Sequence, residues 1–167
     1  MNSGPILIGI GSNLPGGGFA SPAEACEAAV RALEEAGVPA AARSRWFESA
    51  PVPASDQPWY VNGVLLAGTA LAPEDLLARL HAVEASFGRV RQVRNEARVI
   101  DLDLLAYGGL VREGPAPVLP HPRMHQRAFV LLPLLDVAPD WRHPATGTPL
   151  RDLVAALPPG QAIRPLA

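Results

Sequence analysis

Six segments of this chain carry regular apolar patterning, and their order (strand, helix, strand, strand, helix, strand) admits few folds. Ile6-Leu7-Ile8-Gly9-Ile10 is a short apolar run ending in Gly11-Ser12-Asn13, the pattern of a buried strand entering a turn. A loop over 14–20 follows, with Pro15 and three consecutive glycines. Ser21-Pro22-Ala23-Glu24 then opens a helix, with Ser21 as N-cap, Pro22 at the first helical position and Glu24 completing a capping box. Cys26, Ala29, Val30 and Leu33 recur at helical spacing, and Gly37 is placed to end the helix. Residues 43–49 read as extended, with Trp46 and Phe47 as core, and a Pro-rich connection leads to a second extended run at 60–69. The next helix starts near Pro73-Glu74-Asp75, whose acids suit the positive end of the helix dipole. Its apolar stripe is Leu76, Leu77, Leu80, Val83 and Phe87, with Gly88 as the stop, and 99–107 is the last clear strand.

This order is that of the split βαβ, or ferredoxin-like, α+β arrangement. It predicts an antiparallel sheet with two helices on one face and loops forming a ligand site on the other. Beyond the last strand, 122–132 is a candidate short helix limited by Pro133, and 150–157 is another. The 19 prolines and 15 glycines show no period, which argues for turns and extended connections and against a fibrous repeat. No repeat or linker divides the chain, so 1–167 reads as one domain, with residues from about 145 to 167 a Pro-rich extension packed on it.

Two absences narrow the chemistry. All 14 cationic side chains are arginines, which excludes a Walker-type phosphate loop, a Schiff-base lysine and a lysine general base. Genomic codon bias accounts for the missing lysines without any functional cause. Cys26 stands alone, which excludes an intrachain disulfide and a multi-cysteine metal site and fits a reducing cytoplasm. No apolar run approaches the ~20 residues of a membrane span, and no basic region followed by an apolar stretch marks a signal peptide. The net charge of −2 provides no global field, so an anionic ligand needs a local cluster.

Such a cluster exists. Arg89, Arg91, Arg94 and Arg98 fall in one loop with Glu96 as its only acid. Guanidinium groups offer forked donors that match phosphate oxygens. The loop runs directly into Asp101-Leu102-Asp103, where a strand would turn both carboxylates to one side, roughly 6.6 Å apart along the chain. Paired carboxylates of this kind can hold Mg²⁺ carrying nucleotide phosphates, while an ordinary amphipathic strand with its polar residues outward gives the same pattern. His121-Pro122-Arg123-Met124-His125-Gln126-Arg127 adds two histidines and two arginines. Phosphate contact by His121 and Arg127 and a plain helix start with a basic first turn both fit, whereas a metal pair of His121 and His125 lacks a third ligand. Tyr60 and Asn62 share one face of their strand, a ring and an amide suited to a flat heteroaromatic ligand, although routine strand residues look the same. Gly9-Ile10-Gly11 is not a dinucleotide fingerprint, because the third glycine would fall at Leu14 and Pro15 stands where a helix should open.

Taken together these segments resemble one family, the 6-hydroxymethyl-7,8-dihydropterin pyrophosphokinases of folate biosynthesis. The resemblance rests on Gly11-Ser12-Asn13-Leu14, Ser55-Asp56-Gln57-Pro58-Trp59-Tyr60-Val61-Asn62 and Gly88-Arg89-Val90-Arg91. It continues through Arg98-Val99-Ile100-Asp101-Leu102-Asp103-Leu104, then Leu119-Pro120-His121-Pro122 and Arg127-Ala128-Phe129. It implies a ferredoxin-like sandwich and transfer of the β,γ-pyrophosphoryl group of ATP to the pterin hydroxymethyl oxygen, with release of AMP. By the same resemblance Asp101 and Asp103 match ligands of two Mg²⁺, and Asp101 lies near the substrate hydroxyl. Arg89 and Arg98 match arginines of a mobile loop that approach the phosphates, with Arg91 a third candidate. His121 and Arg127 match residues that bind the ATP phosphates. Tyr60 and Phe129 match an aromatic pair that sandwiches the pterin, Asn62 matches the side chain pairing with its edge, and backbone around Ser49 and Val52 supplies further hydrogen bonds.

The chain departs from familiar members in places. Its Arg-rich loop is one residue shorter, and Asn95-Glu96 stands where several members have a tryptophan. Ser49-Ala50 replaces a Thr-Pro pair, and Pro122 falls where some have tyrosine. The expectation is a cytoplasmic monomer that takes small molecules and neither nucleic acid nor membrane. Competing readings are a nucleic-acid module using the Arg loop, which the modest charge disfavours, and a metal-dependent nucleotide hydrolase sharing the Asp pair.

Overall fold

The structure is a computed structural model and describes residues 4–12, 18–51, 58–87 and 99–166. Its strands are β1 (Ile6–Ser12), β2 (Ala40–Arg43), β3 (Phe47–Ser49), β4 (Tyr60–Ala67), β5 (Asp101–Tyr107) and β6 (Ile163–Pro165). Its helices are α1 (Pro22–Glu35), α2 (Pro73–Ser86), α3 (Ala128–Val137) and α4 (Leu150–Ala155), with one 3₁₀ turn at Met124–Gln126. The sheet runs β5-β1-β4-β3-β6, with β2 also paired to β4, and every pairing is antiparallel. This is the split βαβ order that the patterning predicts. The extended stretch at 43–49 is divided between β2 and β3, both of which pair with β4.

Local chemistry explains the helix ends. Ser21 Oγ accepts the Glu24 N–H at 3.2 Å, which satisfies one of the free donors at the start of α1. At its other end Gly37 takes φ of 86°, and Val38 N–H reaches the Leu33 carbonyl at 2.8 Å while Gly37 N–H reaches that of Glu34 at 3.1 Å. That paired closure needs a left-handed residue, which glycine adopts without steric cost. α2 has no side-chain cap, and Glu74 and Asp75 in its first turn oppose the exposed positive end of the dipole.

The period of two along each strand divides the core. Ile8, Ile10, Val61, Leu65, Leu102 and Leu104 face Ala25, Cys26, Ala29 and Leu33 of α1 and Leu76, Leu80 and Val83 of α2. Leu7, Val64 and Leu105 face the other way, against Val130, Leu131 and Leu134 of α3 together with Met124, Trp141 and Leu150. The two crossover helices thus share a face as expected. The opposite face is not left to loops alone, because α3 and α4 cover part of it. The candidate helix at 122–132 begins later, at Ala128, and runs through Pro133 to Val137. Pro133 is buried within it, so the backbone bond it forgoes, worth about 3 kcal/mol, is outweighed by an apolar segment packed on the sheet.

Candidate active site

Where α3 stops covering the sheet, a cavity of about 590 Å³ opens. Its floor follows from strand register. β1 lies between β5 and β4, with Gly9 opposite Asp103 on one side and Val64 on the other, and Gly11 opposite Asp101 and Asn62. Asp101, Asp103, Asn62 and Tyr60 all belong to the face that does not meet α1 and α2. Because positions 9 and 11 carry no side chain, a trough runs between the carboxylates of β5 and the amide and ring of β4. Phe129, Arg127, Arg123 and Gln126 form a further wall, and residues 158–161 another.

At the β4 end, Asn62 is only 5% exposed and its Nδ2 donates to Ser49 Oγ at 2.8 Å. That bond fixes the amide plane and leaves the remaining amide positions to a ligand edge. Tyr60 and Phe129 contribute the cavity's aromatic rings. The Arg127 guanidinium lies 5.3 Å from the centre of the Phe129 ring, a cation–π contact.

At the β5 end, Asp103 faces two cationic candidates. Burial holds the His121 imidazole below its usual pKa, Arg127 and Arg123 push the same way, and Asp103 opposes them. Burial likewise disfavours the charge on Arg127, with Asp103 again in opposition. His121 is seated by its own N–H, which donates to the Leu105 carbonyl at 2.8 Å. The structure therefore brings together Asp101, Asp103, Arg127, Phe129, Tyr60, Asn62 and Ser49, with His121 beside Asp103. Arg89, Arg91, Arg98 and Val52 lie outside the described residues. Two Asp carboxylates lining the cavity suit Mg²⁺, which prefers carboxylates and keeps the rest of its shell for phosphates and water. Among the described residues no group of three or more His, Cys, Asp or Glu side chains gathers at one point.

Sequence reasoning missed several contributors. Glu84 is 3% exposed, and its carboxylate accepts the Leu102 N–H at 2.8 Å, between the two aspartates of the edge strand β5. An acid four residues after Leu80, inside the apolar stripe of α2, was the available signal. Gly9 and Gly11 make the floor, and a period-two Gly-x-Gly on a buried strand was theirs. Cys26, in contrast, takes no part: burial first, then neighbouring Glu27, pushes its thiol up to about 12, so it packs as an apolar group.

A model of the 7,8-dihydro-6-hydroxymethylpterin-pyrophosphokinase family matches residues 7–139. The chain belongs to this family. Membership makes it a pyrophosphokinase. A 2-amino-4-hydroxy-6-hydroxymethyldihydropteridine pyrophosphokinase of Pseudomonas aeruginosa is 43% identical over 156 residues, covering 92% of this chain and 91% of that protein. One from Methylorubrum extorquens is 38% identical, covering 91% of this chain and 92% of its own length. Among solved structures, a Plasmodium falciparum HPPK-DHPS crystallised with STZ-DHP superposes with a TM-score of 0.70 at 12% identity. That likeness covers 90% of this chain but only 42% of the longer one, and it speaks for the fold alone.

Proposed function

We propose that the chain transfers the β,γ-pyrophosphoryl group of ATP to the hydroxymethyl oxygen of 6-hydroxymethyl-7,8-dihydropterin, giving the pterin diphosphate and AMP for folate synthesis. The observation that carries this reading is the trough over Gly9 and Gly11, with carboxylates at one end and a ring-and-amide pocket at the other. Transfer of this type asks for alignment and charge neutralisation more than for covalent help. Tyr60 and Phe129 hold the flat pterin, and Asn62, fixed by Ser49, pairs with its edge, which sets the hydroxymethyl group over the glycine floor. Asp101 and Asp103 would hold two Mg²⁺, which neutralise the triphosphate. Arg127 and His121 bind phosphate oxygens from the α3 side, and Arg89, Arg91 and Arg98 would add positive charge for the triphosphate. Asp101 orients the substrate hydroxyl.

Within this reading the enzyme works on small molecules alone, as a cytoplasmic monomer. No helix among the described residues is long and apolar enough to cross a membrane. The deciding assay supplies ATP, Mg²⁺ and the reduced hydroxymethylpterin, and follows AMP with and without the pterin. AMP that appears only with pterin supports the transfer. AMP released equally without it would identify a nucleotide hydrolase and overturn the proposal.

A further inference from the structure

Residues 158–161 wall the cavity, although they lie beyond the stretch 7–139 that matches the family model. They are anchored through one side chain. Gln161 Oε1 accepts the Ala128 N–H at 2.8 Å, and its Nε2 donates to the Gln126 carbonyl at 2.9 Å and the Pro158 carbonyl at 3.3 Å. Ala128 opens α3, whose N-cap residue, Arg127, offers no side-chain bond to the helix. Gln161 therefore closes backbone groups on both sides of Arg127 and one residue before Phe129. Immediately afterwards the chain crosses to the opposite wall. The Ala50 N–H donates to the Ala162 carbonyl at 3.0 Å, and β6 pairs with β3 so that Ile163 lies opposite Ser49. One short strap thus ties the start of α3 to the strand that holds Ser49, and Ser49 in turn holds Asn62.

We infer that Gln161 is a positioning residue for the pterin, setting the distance and angle between Phe129 and the Ser49–Asn62 pair across the cavity. The assignment rests on the functional reading above. The task needs an acceptor and a donor on one planar group of this reach. A leucine keeps the volume and supplies neither. A glutamate keeps the acceptor for Ala128 and sets a carboxylate against the Gln126 carbonyl. Because the ring site would have to be ordered at each binding event, the loss falls on pterin affinity.

The test is the pterin dissociation constant of the full chain, with the nucleotide constant, kcat and melting temperature measured beside it. Gln161→Leu is expected to weaken pterin binding about tenfold and Gln161→Glu about threefold, with nucleotide affinity changed less than about threefold. Melting temperatures should stay within about 2 °C of the parent. Pterin affinity unchanged in both variants would overturn the assignment. So would a parallel fall in pterin affinity, nucleotide affinity and melting temperature, which marks a merely structural bond. Failure of the parent chain itself to bind pterin would bring down the functional reading as well, whereas tight binding by parent and variants alike would remove Gln161 alone.

Discussion

Glycine at positions 9 and 11 matters for what it leaves empty. A Cβ built on Gly11 would stand 3.0 Å from Asn62 Oδ1, while one on Gly9 would meet Leu105 Cδ1 at 3.4 Å, an ordinary contact. Gly11→Ala should therefore displace the Asn62 amide from its bond to Ser49 and weaken pterin binding about tenfold, about 1.4 kcal/mol. Gly9→Ala should cost less, and calorimetric titration of both variants with the pterin would rank them. A ranking reversed, or no loss in either, would show that the floor does not shape the ligand. In the proposed reaction the aspartates act at the other end of the trough. Asp101→Asn and Asp103→Asn should each abolish Mg²⁺-dependent AMP formation while circular dichroism stays that of the parent, and full turnover in either variant would remove its metal role. The carboxylate pair was legible in the sequence because a strand's period of two operates within one segment. The floor was not, because which strand flanks Gly9 and Gly11 is a matter of register between segments far apart in the chain. Glu84 lay hidden for a related reason: its partner is the backbone of Leu102, and backbone donors leave no mark in a sequence.

At the level of elements, the far side of the sheet can be weakened without touching the chemistry. Ser21→Ala removes the acceptor for Glu24 N–H at the start of α1, and should lower stability by about 1 kcal/mol. Leu80, fully buried between α2 and the sheet, should lose about 2–5 kcal/mol on Leu80→Ala. Both variants should retain pterin affinity at temperatures where they remain folded, since α1 and α2 pack on the face opposite the cavity. Urea titration checks the first expectation and ligand titration the second. These helices were readable because capping, stripe and stop signals agree, each within a few residues. α3 was only half readable. Its sequence, AFVLLPLLDV, is apolar all round, so it has no face to detect, and Pro133 argued for an earlier end. Tertiary burial against Leu7, Val64 and Leu105 decided the matter. β6, three residues long with Pro165 at its end, has no periodic signal at all and exists only because β3 offers it an edge.

At the scale of the whole molecule, the shifted histidines and carboxylates among the described residues fall into two pH windows with separate causes. His143, 9% exposed, sits edge-on to Trp141 at 5.8 Å and to His125 at 6.0 Å. Burial holds its imidazole below the usual value, and His125 adds to that shift. A histidine whose folded pKa is depressed binds its proton more readily in the unfolded chain. Its contribution to stability is thus complete above about pH 6.5, the unfolded value, and is lost as the pH falls through the folded one. His121 shifts in the same direction. The Glu27 carboxyl is lowered chiefly by its bond to Arg43. At Asp136 burial pushes upward but is outweighed by the bonds and charge of Arg45. Their contributions therefore persist above the unfolded carboxylate range near pH 4 and fade only below it. The urea midpoint should accordingly be level from about pH 8 to 7, decline as the pH falls below about 6.5, and fall again below about 4. His143→Gln, which cannot titrate, should flatten the upper decline and leave the lower one in place. An upper decline of unchanged slope in that variant would mean that His143 is not the group responsible, and would shift the assignment to His121, whose replacement by glutamine is then expected to remove it.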